Sequence, residues 1–111
     1  MRNFDIGVTR IDGEGGKVWE RSYGTEAEDY ANRTIRSLDG GFVVVGTTRG
    51  PALGDGDVYI FKVDDEGNRI WERSYGDPYG SEAGWDIVEV SRDCYVVAGS
   101  AHSSDDRDYL Y

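Results

Sequence analysis

Three acidic, glycine-containing segments are the first places in this chain whose side chains could bind a cation. They are residues Asp12–Gly16, Gly54–Asp57 and Asp64–Asn68. Calcium takes about six to eight oxygen ligands, and none of these segments has the acid spacing of the helix–loop–helix calcium site. Asp, Asn and Gly also form turns without any ion. We therefore expect turns, with calcium as the alternative and no other cofactor.

Residue types for catalysis are present but are not arranged as a recognisable site. His102, the only histidine, lies in the segment Ser100–Asp106, which contains the residue types of a catalytic triad by composition alone. Cys94, the only cysteine, opens the apolar run Cys94–Ala98, where we expect a small buried side chain. No pair of carboxylates stands out as a glycosidase pair. We predict no catalytic residue and no metal ligand.

The charge balance excludes one class of partner. The 111 residues include 22 acidic and 12 basic ones, giving a formal net charge of −10. Nucleic-acid binding needs a basic surface, so we expect no nucleic-acid partner. No apolar run approaches the roughly 20 residues of a membrane-spanning helix. The first residues also lack the apolar stretch of a signal peptide.

A hexapeptide occurs twice without change and reveals an internal repeat. Residues Trp19–Gly24 and Trp71–Gly76 are identical and lie 52 residues apart. A period of this size indicates stacked supersecondary units. We predict a single repeat domain over residues 1–111. The first repeat covers about residues 4–55, the second about 56–106, and a third opens at 107–111.

Each repeat reads as four β-strands in two hairpins. In the first repeat, strands on either side of Asp12–Gly16 are followed by residues 31–38 and 42–47, which flank an Asp-Gly-Gly turn. The runs Val43–Val45 and Val58–Phe61 are apolar at consecutive positions, so both faces of these strands should be buried. The sequence predicts an all-β protein in which sheets pack on both sides.

The repeated strand places an aromatic and cationic set on one face. This face comprises Trp19, Arg21 and Tyr23 in the first repeat and Trp71, Arg73 and Tyr75 in the second. We expect the tryptophans to fill the space between neighbouring sheets, with the arginines stacked between aromatic rings.

The inner hairpins of the two repeats carry charges of opposite sign at equivalent positions. The three pairs are Arg33 with Asp86, Arg36 with Glu89, and Asp39 with Arg92. One hypothesis is that these residues form ion pairs between adjacent sheets along a channel. The alternative is that they are solvated surface charges that contribute little.

The ordered motifs resemble those of a known family. Residues Asp57–Asp64, a glycine turn, Trp71–Gly76 and the earlier Asp39–Gly46 follow the pattern of blade repeats in bacterial and archaeal β-propeller proteins. They are also similar to quinoprotein-type propeller repeats. The resemblance implies propeller-like blades of four strands, two per chain, and a secreted or cell-surface location. It supplies no cofactor or metal ligands, and one propeller architecture hosts many functions.

The resemblance also implies how the chain is divided between sheets. The chain would begin with the outer half of one blade, build a complete second blade and end with the inner half of a third. Propellers use about four to eight blades, so two cannot close a ring. We expect copies to complete a ring by homo-oligomerisation. The alternatives are a face-to-face β-sandwich monomer, in which the start of the chain pairs with its end, and a piece of a longer propeller.

The functional expectation follows from this architecture. We expect a non-enzymatic scaffold or binding surface, for which the residues identify no protein or carbohydrate ligand. The alternative is an enzyme domain, hydrolytic or quinone-dependent, that is active only in a completed ring.

Overall fold

A computed structural model describes residues 5–25, 28–49, 56–76, 80–103 and 108–110. These residues form nine β-strands and no helix, which confirms the all-β prediction. The strands are β1 (Ile6–Ile11), β2 (Lys17–Tyr23), β3 (Glu28–Arg36), β4 (Phe42–Arg49), β5 (Asp57–Val63), β6 (Arg69–Tyr75), β7 (Gly80–Ser91), β8 (Cys94–Ser103) and β9 (Asp108–Leu110).

The strands group into three antiparallel sheets. The first sheet has the order β1-β2, the second β3-β4-β5-β6 and the third β7-β8-β9. The four-stranded sheet therefore joins the second half of the first repeat to the first half of the second. In the part of the chain that the structure describes, only this sheet has four strands, because β4 pairs with β5 across the repeat boundary. The third sheet has three strands because β9 joins β8, whereas the family resemblance implied only the inner half of a blade there.

The two central strands of the second sheet, β4 and β5, are buried on both faces, as their apolar runs predicted. One face, with Val44 and Phe61, packs against Ile6 and Trp19 of the first sheet. The other face, which includes Val43, Val45 and Ile60, packs against the third sheet. Alternate residues of a strand point to opposite faces, which explains how consecutive apolar residues can all be buried.

The first and last strands lie in different sheets. Among the described strands, β1 pairs with β2, and β9 pairs with β8. The start-to-end pairing of the sandwich alternative is therefore not present in these strands. The outer limits of the expected repeats, at residues 4, 55, 107 and 111, lie outside the described residues. No helix that is long and apolar enough to cross a membrane occurs in the described ranges.

Candidate functional site

A buried lysine joins the second sheet to the third. Lys62 on β5 is only 3% exposed, although lysine is among the residues least often buried. Its Nζ atom donates to Asp39 Oδ1 and to Asp93 Oδ1, each at 2.8 Å. Asp39 lies in the β3–β4 turn, whereas Asp93 lies in the β7–β8 turn. One ammonium group therefore links the turns of two sheets.

Glu89 on β7 ties the same two turns through the backbone. Its carboxylate accepts the N–H of Leu38 at 2.7 Å and the N–H of Asp93 at 2.9 Å. Burial raises the pKa of Glu89, but these backbone hydrogen bonds outweigh it and the pKa lies below its ordinary value. We call Asp39, Lys62, Glu89 and Asp93 the junction cluster.

The pKa values of Asp39 and Lys62 are shifted because the two side chains are paired. Hydrogen bonds from Lys62 and Ser37 lower the pKa of Asp39 to about 2. Burial acts to lower the pKa of Lys62, but its hydrogen bonds with Asp39 and Asp93 outweigh that effect and raise it. Asp39 and Lys62 therefore both carry their charges across the physiological range.

The same cluster contains the one set of carboxylates in the described residues whose spacing would suit a metal ion. Ligand atoms of Asp39, Glu89 and Asp93 lie within 4.8 Å of one another. The Lys62 ammonium group already bridges two of these carboxylates, so a cation would have to displace it. The geometry is that of a salt-bridge cluster between sheets.

In two of the acidic turns, the Asp carboxylate accepts hydrogen bonds from backbone N–H groups of the same turn. Asp12 Oδ1 accepts the N–H groups of Glu14 and Gly16, and these bonds lower the pKa of Asp12. Asp64 does the same in the second repeat, with a lowered pKa. Both segments thus form Asx-type turns, as predicted. The third candidate, residues 54–57, lies largely outside the described residues.

The junction between the first and second sheets has other charges at two of the equivalent positions, and its acid, Asp65, comes from the β5–β6 turn. Arg10, the counterpart of Lys62, donates to the backbone oxygen of Asp65 at 2.9 Å. Arg36, the counterpart of Glu89, lies 2.5 Å from Asp65 Oδ1 and 4.9 Å from the centre of the Phe42 ring. This pairing with Arg36 lowers the pKa of Asp65. Two cations and one acid thus replace the lysine and three acids of the other junction.

One of the three predicted ion pairs forms. Arg33 Nε lies 3.2 Å from Asp86 Oδ1, and this pair bridges the second and third sheets with both side chains more than half exposed. In the described residues, Arg36 and Glu89 do not pair with each other, because Arg36 takes Asp65 and Glu89 takes backbone N–H groups.

The third predicted pair also fails to form. Asp39 pairs with Lys62, while Arg92 is exposed. The hairpin alignment could not reveal this, because Lys62 lies on a strand outside the hairpin. The repeat did contain a signal for Lys62. Arg10 and Lys62 are basic residues 52 positions apart, each inside a largely apolar strand.

The aromatic set behaves differently in the two repeats. Trp19 and Tyr23 are buried between the first and second sheets, as expected. Trp71 is half-buried, with its ring centre 5.9 Å from that of Tyr95 on the third sheet. Tyr75 is 53% exposed.

The two arginines of this set do not lie between sheets. Arg21 and Arg73 are exposed, and each guanidinium lies just under 6 Å from the ring of the tryptophan two residues earlier. Each thus contacts the tryptophan of its own strand while its charged group remains in water.

Four of the ten large hydrophobic side chains that are exposed in the described residues lie on the outward face of the third sheet. Its large side chains are 52–58% exposed and belong to Trp85, Val88, Val90 and Val96. Cys94 is also exposed, contrary to our expectation, because it directly follows the β7–β8 turn. The side chain of His102 lies outside the part of the structure that is described.

No protein-family model matches the chain, and no curated protein matches it.

Proposed function

We propose that this chain is a non-enzymatic β-propeller repeat module that acts as a scaffold or interaction surface. Its copies assemble into a ring, and any ligand binds at the loops or at the mouth of the central channel. The polar clusters of the described residues support this proposal, because their side chains form ion pairs between sheets and hydrogen bonds within turns.

The observation that carries the proposal is the offset grouping of the strands. A four-stranded sheet is flanked on one side by two strands and on the other by three. Sheets of this kind pack face to face, and the third sheet still presents the apolar side chains of Trp85, Val88, Val90 and Val96 to water. Apolar surfaces of this kind mark interaction sites.

The number of repeats suggests the size of the assembly. Two repeats per chain would give six sheets in a trimer and eight in a tetramer, both within the range of about four to eight blades. A ring closes when a head-to-tail contact repeats with the right rotation.

The mass of the chain in solution tests the proposal. Sedimentation equilibrium should give the mass of a trimer or tetramer of a 12.3 kDa chain. A monomer at every concentration tested would contradict the assembly.

A further inference from the structure

One contact inside the chain shows how the repeated strand is covered when its neighbour is present. The β5–β6 turn, Asp64–Asn68, lies over the first sheet. The indole of Trp19 donates to the backbone oxygen of Asp65 at 2.8 Å, and the hydroxyl of Tyr23 donates to the backbone oxygen of Gly67. A side chain at Gly67 would meet the Trp19 ring at 2.9 Å. The turn therefore acts as a fitted cover for this pair.

The second repeat carries the same pair without such a cover. Trp71 and Tyr75 occupy the positions of Trp19 and Tyr23 in the identical hexapeptide. Tyr75 is 53% exposed against 7% for Tyr23, and Trp71 is half-buried whereas Trp19 is buried. Within the described ranges, no turn lies over them in the way that Asp64–Asn68 lies over the first pair.

A turn of the right shape exists elsewhere in the chain. In Asp12–Gly16, Asp12 N donates to Gly16 O at 2.9 Å and Gly15 N to Asp12 O at 3.1 Å. The corresponding bonds in Asp64–Asn68 have the same lengths. The glycine φ angles are 88° for Gly15 and 86° for Gly67. The β1–β2 turn can therefore present to Trp71 the backbone that the β5–β6 turn presents to Trp19.

One edge of β8 and one edge of β1 also lack a complete strand partner among the described strands. β9 pairs with β8 only at Ser100–His102, which leaves Cys94–Gly99 without a partner on that side among the described strands. β1 pairs with β2 along one edge, and no described strand pairs with its other edge. An unpaired edge is a template for another strand.

The second sheet supplies the register in which these two edges would pair. There β4 pairs with β5 so that Phe42 lies opposite Val63. The counterpart of Phe42 on β8 is Tyr95, 53 residues later, and the counterpart of Val63 on β1 is Ile11, 52 residues earlier. With Tyr95 opposite Ile11, residues Gly7–Ile11 of β1 lie beside Tyr95–Gly99, and Ile6 meets the end of β9 at Ser100.

We infer that the β1–β2 hairpin of a second copy completes the third sheet of the first copy. Its β1 strand pairs with the open edge of β8, with Ile11 opposite Tyr95, and its Asp12–Gly16 turn covers Trp71 and Tyr75. This inference rests on the proposed self-assembly and specifies the surface through which it occurs.

The side chains around this contact are complementary. On the first copy, Val88 and Val96 project from the outward face of the third sheet. On the second copy, a groove of about 310 Å³ lies between the first and second sheets and is lined by residues that include Val8, Trp19 and Phe42. Inside one chain, the counterparts of Val88 and Val96 on the second sheet pack against the third sheet in the same way.

Cysteine cross-linking tests the register. In a Cys94→Ser background, one chain carries Thr9→Cys and another carries Val97→Cys, two positions that the inferred register places opposite each other. Directly opposed residues of antiparallel strands have the spacing of a disulfide. Oxidation of the mixture should give a covalent dimer of the two variants, and neither variant alone should give it.

Moving the cysteine on β1 by one residue gives the matched control. Val8→Cys replaces Thr9→Cys and points to the other face of β1, so it should cross-link to Val97→Cys far less. The inferred contact would be overturned if Thr9→Cys and Val8→Cys cross-linked equally to Val97→Cys. It would also be overturned if Thr9→Cys gave no cross-link although the chains still associated. Either result would leave self-assembly standing. A chain that stays monomeric would overturn both.

A pair of tyrosine variants tests the cover. Tyr75→Phe should weaken association about three- to tenfold, because the hydroxyl loses one hydrogen bond to the second copy. It should not change the free energy of unfolding of the separate chain in dilute solution. Tyr23→Phe removes the equivalent bond inside the chain and should lower the free energy of unfolding instead. Unchanged association in Tyr75→Phe would contradict the covering by the turn.

Discussion

At the scale of single residues, Lys62 contributes more than its place on an apolar strand would suggest. It is the only cation of the junction cluster, in which three carboxylates come together. A buried charge is tolerated when it is paired and hydrogen-bonded. Without the lysine, the carboxylates of Asp39, Glu89 and Asp93 would repel one another across the joint between two sheets.

We predict that Lys62→Met lowers the free energy of unfolding by about 2–4 kcal/mol. Removing one member of a fully buried pair costs about 3–5 kcal/mol, and the partial exposure of the partner carboxylates reduces this. Lys17→Met is the control, because the Lys17–Glu20 pair is exposed and should contribute at most about 1 kcal/mol. Urea unfolding measures both values, and equal losses would contradict the role of Lys62.

The pairing of Asp39 also predicts a dependence on pH. Its pKa is about 2 in the folded chain against an ordinary value of 3.8. A lowered pKa stabilises the fold above the ordinary value, and this contribution is lost as the pH falls from about 4 towards 2. The loss in free energy of unfolding caused by Asp39→Asn should therefore be largest at neutral pH and shrink over that window.

The Lys62→Met variant also provides the control for this prediction. Lys62 is the main cause of the lowered pKa of Asp39, so in a Lys62→Met background Asp39→Asn should lose most of its pH-dependent effect. Acid titrations followed by tryptophan fluorescence measure the effect of Asp39→Asn with Lys62 present and in the Lys62→Met background. A pH-dependent difference that persists without Lys62 would contradict the assignment.

At the scale of elements, the two Asx-type turns have one backbone shape but different surroundings. Gly15 and Gly67 both have φ near +90°, so alanine is strained at either position by about 1–2 kcal/mol. Only Gly67 has a neighbour in the way, since a Cβ there would lie 2.9 Å from the Trp19 ring. Nothing lies within 4 Å of the corresponding point at Gly15.

We therefore predict that Gly67→Ala destabilises the chain more than Gly15→Ala does. The first variant adds a clash with Trp19 to the strain that both share. Thermal unfolding in dilute solution, where copies are separate, should show a clearly larger fall in melting temperature for Gly67→Ala. Equal falls would mean that the turn does not press on Trp19 in solution.

The strands could be predicted from the sequence because their signals are local. Alternating and apolar runs, together with Asp-Gly turns, identify the hairpins without any long-range information. The consecutive buried valines Val43–Val45 also revealed that the second sheet is covered on both faces. The division of the chain into sheets came from the family resemblance, since hairpin signals alone do not say whether β4 pairs with β5.

The charged junctions could be predicted only in part, because partner choice is a competition among all nearby charges. Arg33 and Asp86 have no closer rival and pair as the alignment indicated. Arg36 instead finds Asp65, which lies in a turn of its own sheet and outside the aligned hairpins. The exposure of Tyr75 likewise depends on which neighbour covers the repeated strand, and the strand itself contains no information about that.

At the scale of the whole molecule, the third sheet leaves exposed the apolar face that is covered in the second sheet. The third sheet ends in the exposed apolar side chains of Val88 and Val96, whereas their counterparts on the second sheet are covered. Apolar surface that association buries stabilises the folded assembly relative to the unfolded chain. Stability should then depend on protein concentration.

We predict that the melting temperature rises with protein concentration and that Val96→Lys abolishes this rise. The lysine would place a charge on the apolar face, so association should weaken while the exposed position leaves the fold of the separate chain intact. Leu38→Lys is the control, because Leu38 is also exposed but lies in the β3–β4 turn, away from the outward face of the third sheet. A concentration dependence that survives Val96→Lys, or disappears equally in Leu38→Lys, would mean that this face does not join the copies. Because every copy carries the same face, loss of the contact at one copy means loss at all of them, and the variant should sediment as a monomer.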